Sequence, residues 1–97
     1  MAATDTHYVA LIHKDKTSGY GVSFPDVPGI IAVADTLDAA IAEGAAALEF
    51  AFEDWSGSLP VPRTLDALRA DPDFQRDAID AVIAAIKPSH SYYAAAE

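Results

Sequence analysis

The run Gly19-Tyr20-Gly21-Val22-Ser23-Phe24-Pro25-Asp26-Val27-Pro28-Gly29 leaves the chain few ways to fold. Tyr20, Val22 and Phe24 alternate with Gly21 and Ser23, so one face is apolar and the other small or polar, the pattern of a half-buried strand. Pro25 ends regular pairing because it lacks an N–H and fixes φ. Asp26 and Pro28-Gly29 then turn the chain, Gly29 being free to take a positive φ. A strand stopped and turned this abruptly pairs with its sequence neighbours.

Those neighbours have strand character. From His7 to His13, Tyr8, Ala10 and Ile12 fall on one side and Val9 and Leu11 on the other. Both sides are apolar, which suits a central strand covered on both faces. Lys14 to Gly19 is a polar turn, and Ile30 to Ala34 reads as a third strand. Three strands so closely connected form an antiparallel meander.

Asp35-Thr36 opens a helix, with Thr36 or Asp35 as N-cap and Asp38 in the first turn, where the helix dipole favours an acid. Leu37, Ile41, Gly44, Leu48, Ala51, Phe52 and Trp55 recur at helical spacing and form the expected core stripe. Ser56-Gly57 supplies the stop. Leu59 to Arg63 is extended because each proline pushes its predecessor out of the helical region. Thr64 to Ala70 is a short capped helix, broken at Asp71-Pro72, and a helical turn follows at Asp73–Asp77. In Ala78–Lys87, Ile79, Val82, Ile83 and Ile86 fit a helical period, the alanines agree with it, and Pro88 ends the segment.

The first strand ending in charges, the G-Y-x-V-x-F-P-D-x-P-G run, the third strand and the Asp35-Thr36-Leu37 helix start together resemble the HicB antitoxins. The resemblance extends from about Tyr8 to Ile86. It implies an α+β fold of β-β-β-α-β order: a three-stranded antiparallel meander, one main helix on the sheet, and a fourth strand, Asp80–Lys87, parallel to the first in a partial ribonuclease-H-like domain. Two departures stand out. Ala34 and Ala39 occupy positions where the family has glycine and glutamate, leaving the capping box incomplete. Ser89–Glu97 reads as a short tail to a 1–88 domain, too short for the family's C-terminal DNA-binding module.

Catalysis is not expected. A two-metal nuclease needs carboxylates converging on metals about 3.5–4 Å apart, and the first strand carries none between Tyr8 and Ile12. Asp15 stands among lysines and Asp26 in a proline turn. His7, His13 and His90 show no ligand spacing, no serine has a partnered histidine and aspartate, and there is no cysteine. We expect no cofactor and no metal. With no signal-like start and no apolar run of about 20 residues, the chain reads as cytoplasmic with no membrane partner.

Charge points to the partner. The net charge is −9, and residues 35–55 carry Asp35, Asp38, Glu43, Glu49, Glu53 and Asp54 without a single base. Such a chain is repelled by phosphate backbones, so no nucleic-acid binding is expected from this domain alone, and a basic protein is the better partner. On the helix, Phe50 falls within the acidic half. Either it is covered by the Gly57–Pro62 loop above a solvated face, or it anchors a docking face formed with Glu49, Glu53 and Asp54, with Asp26 as a further contact. The resemblance implies that the partner is a small basic RNA-cleaving toxin of HicA type, and that the chain is a homodimer or higher homo-oligomer. The alternative is an orphan homo-oligomeric scaffold without a toxin, built through the Ala39, Ala42 and Ala46 helix face.

Overall fold

The computed structural model describes residues 6–17 and 19–88. The meander is present as β1 (Tyr8–Lys14), β2 (Tyr20–Ser23) and β3 (Ile31–Ala34). Pairing is antiparallel throughout, with Ile12 opposite Val22 and Val22 opposite Ala32. Pro25 ends β2 as expected, and Gly29 turns the chain at φ 95°. Gly19 has a different reason to be glycine. A Cβ there would overlap the carbonyl of Ala34, where β3 hands over to the helix.

Helix α1 (Leu37–Glu53) follows. Thr36 caps it, its Oγ1 accepting from the Ala39 N–H at 3.1 Å, and Asp38 lies in the first turn. The helix starts beside the β2–β3 end of the sheet and finishes beside the start of β1, where the Phe52 and Tyr8 rings are 5.5 Å apart. It buries Ala40, Gly44 and Leu48 against Tyr8, Ala10, Ile12, Val22 and Phe24. The expected stripe is rotated in two places. Ile41 and Trp55 are 36% and 39% exposed, while Ala40 is fully buried. Trp55 lies beyond the helix end, its Nε1–H donating to the Ser58 carbonyl at 3.1 Å and its ring edge-on to Phe52.

The crossover then climbs the opposite face of the sheet. Tyr8 Oη donates to the Pro60 carbonyl at 2.6 Å, and α2 (Leu65–Arg69) and α3 (Pro72–Asp77) follow, capped by Thr64 and Asp71. Asp71-Pro72 both ends one helix and starts the next, since proline is well suited to the first helical position. Leu68 and Phe74 cover Leu11, with Val9, Leu65, Ala78 and Ala81 around them. Both faces of β1 are thus covered, in accord with its two apolar sides. His13 Nε2 donates to the Asp77 carbonyl at 2.7 Å, bringing the end of α3 beside the end of β1.

That second traverse corrects one expectation. The segment Val82–Ile86 is a strand, β4, and it lies beside β1, giving the order β3-β2-β1-β4. It runs antiparallel to β1, with Tyr8 opposite Ile86 and Ile12 opposite Val82, where a parallel strand was expected. The helix carries the chain down one face and α2–α3 carry it back up the other. The strand therefore begins where β1 ends, and only antiparallel pairing remains. His90 and the tail lie outside the described residues.

Candidate partner-docking surface

The outer side of α1 combines acids, alanines and one aromatic. Asp38, Glu43, Glu53 and Asp54 are exposed, as are Ala39, Ala42 and Ala46. Phe50 projects from their midst at 74% exposure. The Gly57–Pro62 loop does not cover it. That loop lies by the start of β1, held by the Tyr8–Pro60 hydrogen bond. An aromatic side chain on an otherwise polar helix face leaves most of its apolar area in water.

The helix ends on two acids. No base occupies the last turn, and Glu53 and Asp54 stand where the helix dipole is negative. A cationic surface brought against this end would relieve both the dipole and the mutual repulsion of the acids.

Glu49 differs from its expected place. It is 8% exposed, and its Oε2 has no hydrogen-bond partner. At about 100° per residue it lies one step round from Leu48, on the margin between core and surface, and packing draws it inward. It therefore supplies less to the outer face than Glu53 or Asp54 does.

Asp26 has a structural partner within the chain. Its carboxylate accepts from Arg63 Nε at 2.6 Å and from the Arg63 backbone N–H at 2.7 Å, with only 8% of its side chain exposed. Arg63 also donates to Asp71 at 2.9 Å. That hydrogen bond, helped by the Asp73 N–H, holds the Asp71 carboxyl below its ordinary range. The three residues tie the turn after β2 to the crossover. The sequence signal for this was present in part: an aspartate in a proline turn accepts nearby N–H groups, but its partner is 37 residues away.

Among the described residues no group of three or more histidines and acids could hold a metal ion, and no helix is long and apolar enough to cross a membrane. A concavity of about 780 Å³ lies at the β1–β2 turn, lined by His13, Lys14, Asp15, Tyr20, Val33 and Asp35 among others. The α1 surface is arranged for contact: exposed carboxylates, small side chains that permit close approach, and one projecting ring.

Residues 8–94 match the family model described as the HicB-like antitoxin of bacterial toxin–antitoxin systems. The chain belongs to the HicB-like antitoxin family. Its fold is similar to that of the Burkholderia pseudomallei antitoxin HicB, at TM-score 0.66 and 29% identity, covering 84% of this chain and 62% of that one. The HicB-like chain thus spans under two thirds of that antitoxin's length. The N-terminal domain of the same antitoxin is matched at TM-score 0.63 and 27% identity, over 84% of this chain and 96% of that one. A chain of the HicA3 and HicB3 toxin–antitoxin complex shares the fold at TM-score 0.62 and 17% identity, over 87% of this chain and 99% of that one. Among curated proteins none matches.

Proposed function

We propose that this HicB-like chain binds and masks a small, basic, RNA-cleaving toxin of HicA type, and that it does so without catalysis. Membership of the antitoxin family supports the role, and a relative of the same fold occurs in a toxin–antitoxin complex. The observation that carries the reading is Phe50, 74% exposed on a helix face that bears only acids and alanines around it.

The mechanism is occlusion. A toxin that handles RNA needs a basic surface, and the acids of α1 compete with phosphates for it. Glu43, Glu53 and Asp54 steer association, while Phe50 enters the partner's surface and slows dissociation. Glu49 and Asp26, buried in the free chain, act as supports on either side of the core. Neither reaches the partner unless the surface opens.

The test is co-expression with the short basic reading frame that adjoins this chain's gene, followed by purification through a tag on one component. A stable complex that comes apart with rising salt is expected. If that basic product fails to co-purify, or if no basic frame adjoins, the scaffold reading through Ala39, Ala42 and Ala46 takes its place.

A further inference from the structure

Gly21 lies on the inner strand β2 without a need of the fold for glycine there. Its φ is not positive, unlike that of Gly29 and Gly57. It makes no bulge, because the pairing of β2 runs unbroken on both sides, with His13 opposite Gly21 and Gly21 opposite Val33. Nor does it make room for a neighbour: a Cβ built there meets nothing within 4 Å. Glycine inside a strand weakens it, and it otherwise marks a bulge, a bend, or a place where a ligand or another backbone comes close. The close approach is the reason that remains.

The open space over Gly21 belongs to the concavity at the β1–β2 turn. Its volume of about 780 Å³ falls in the range of small-ligand sites. Gly21 forms its floor, and Val33, 72% exposed, stands beside it. The helices α2 and α3 leave this half of the face uncovered. They pack on Leu11, and His13, reaching the Asp77 carbonyl, ends their wall.

We propose that this concavity binds an alkylammonium ion, its aliphatic stem on Gly21 and Val33 and its head at Asp35. The inference does not depend on what docks on α1. Charge selects a cation. His13 is engaged by the Asp77 carbonyl, and Lys14 donates to the Asp15 carbonyl while lying 5.7 Å over the Tyr20 ring. The Asp15 carboxylate accepts from the Thr17 N–H at 3.2 Å. Asp35 lines the same concavity, is exposed, and pairs with no base among the described residues. An anion would find both bases engaged and the field of a chain of net −9 against it; a cation is drawn by Asp35 and by that field alike.

Shape selects the stem. The bare backbone at Gly21 lets a methylene chain lie directly on the sheet, with the apolar Val33 at its side. Lysine stems lie along apolar surface in the same way while the head stays in water. A free aliphatic amine and a lysine side chain of another protein carry the same group, and the test separates them.

The test is an NMR titration of the isotope-labelled full chain with n-butylamine at neutral pH. The amides of Gly21, Val33 and Asp35 should shift together to saturation. The uncharged n-butanol, with the same stem, should leave them in place. Gly21→Val should fold, since its side chain enters open space and valine suits a strand, and it should lose the shifts. Asp35→Asn should weaken binding about tenfold or more, the loss expected for a hydrogen bond to a charged group. Asp38→Asn, which removes an exposed acid of α1 outside the concavity, should leave binding unchanged. Nα-acetyl-lysine amide, titrated alongside, identifies the source: tighter binding of butylamine assigns a free amine, and tighter binding of the blocked lysine a protein side chain. Should Gly21→Val fail to fold by circular dichroism, the contrast between Asp35→Asn and Asp38→Asn decides. Shifts scattered over the acids of α1 with Gly21 unmoved, an equal response to butanol, or full affinity in folded Gly21→Val would each overturn the proposal.

Discussion

Truncating Phe50 separates a docking anchor from a core residue. Phe50 is 74% exposed, so folding buries only about a quarter of its side chain. Complete burial of a phenylalanine contributes roughly 1.5–3 kcal/mol, so the folded chain loses about 0.4–0.8 kcal/mol on Phe50→Ala. Alanine's better helix propensity returns up to about 0.5 kcal/mol of that. The Tm should move by no more than about 6 °C, taking 4–8 °C per kcal/mol for a domain of this size. Burial of the remaining three quarters by a partner contributes about 1.1–2.2 kcal/mol, a loss of roughly 6- to 40-fold in affinity. Calorimetric melting of the free chain and surface plasmon resonance with the basic partner give the two quantities, and the change should appear in dissociation. A Tm drop of about 10 °C with unchanged affinity would refute the reasoning and place Phe50 in the core.

Further outcomes follow from the rest of the fold. Tyr8→Phe removes the hydrogen bond to Pro60 and should cost about 1 kcal/mol, read as a lower denaturant midpoint with unchanged slope. Burial, then the Asp26 charge, raises the Tyr8 phenol above its ordinary 10.0; its contribution is present below that value and lost as pH rises through the folded one. Tyr8→Phe should therefore melt with a flatter alkaline profile. The Asp71 carboxyl is held below its ordinary 3.8 by Arg63, so its contribution is present above 3.8 and lost as pH falls through the lower folded value. The Tm gap between wild type and Asp71→Asn should close on acidification, between about pH 5 and pH 2. Gly19→Ala should lower the Tm clearly, because the added Cβ meets the Ala34 carbonyl. An unchanged melt would show that the β1–β2 turn shifts freely.

Much of the fold was legible where the signals are local. Pro25, Gly29, Thr36 and Thr64 act on the backbone beside them, and each turn or cap stands where its chemistry put it. The direction of β4 was not legible from the resemblance, though the residues held a hint. Val9 and Leu11 needed a cover on the second face of β1, and Leu65, Leu68 and Phe74 were the apolar residues available in the crossover. A crossover that fills that face returns the chain to the far end of β1 and fixes antiparallel pairing. On α1 the projection separated Phe50 and the other outer acids from the core, but it set Glu49 on the outer half, where the structure buries it. A residue on the margin of a helical stripe is assigned by tertiary packing, here to burial. The Asp26–Arg63 bond is likewise long-range, and no spacing rule reaches across it.

Titration of RNA cleavage tests masking most directly. The basic toxin is held at fixed concentration with a labelled RNA, and the purified HicB-like chain is added in steps across equivalence at low salt. Cleavage should fall to background near one chain per toxin. The variant with Glu53 and Asp54 reversed to lysine should reach that endpoint more slowly, since exposed steering charges act on association. Cleavage that persists at a large excess of folded chain would contradict the account.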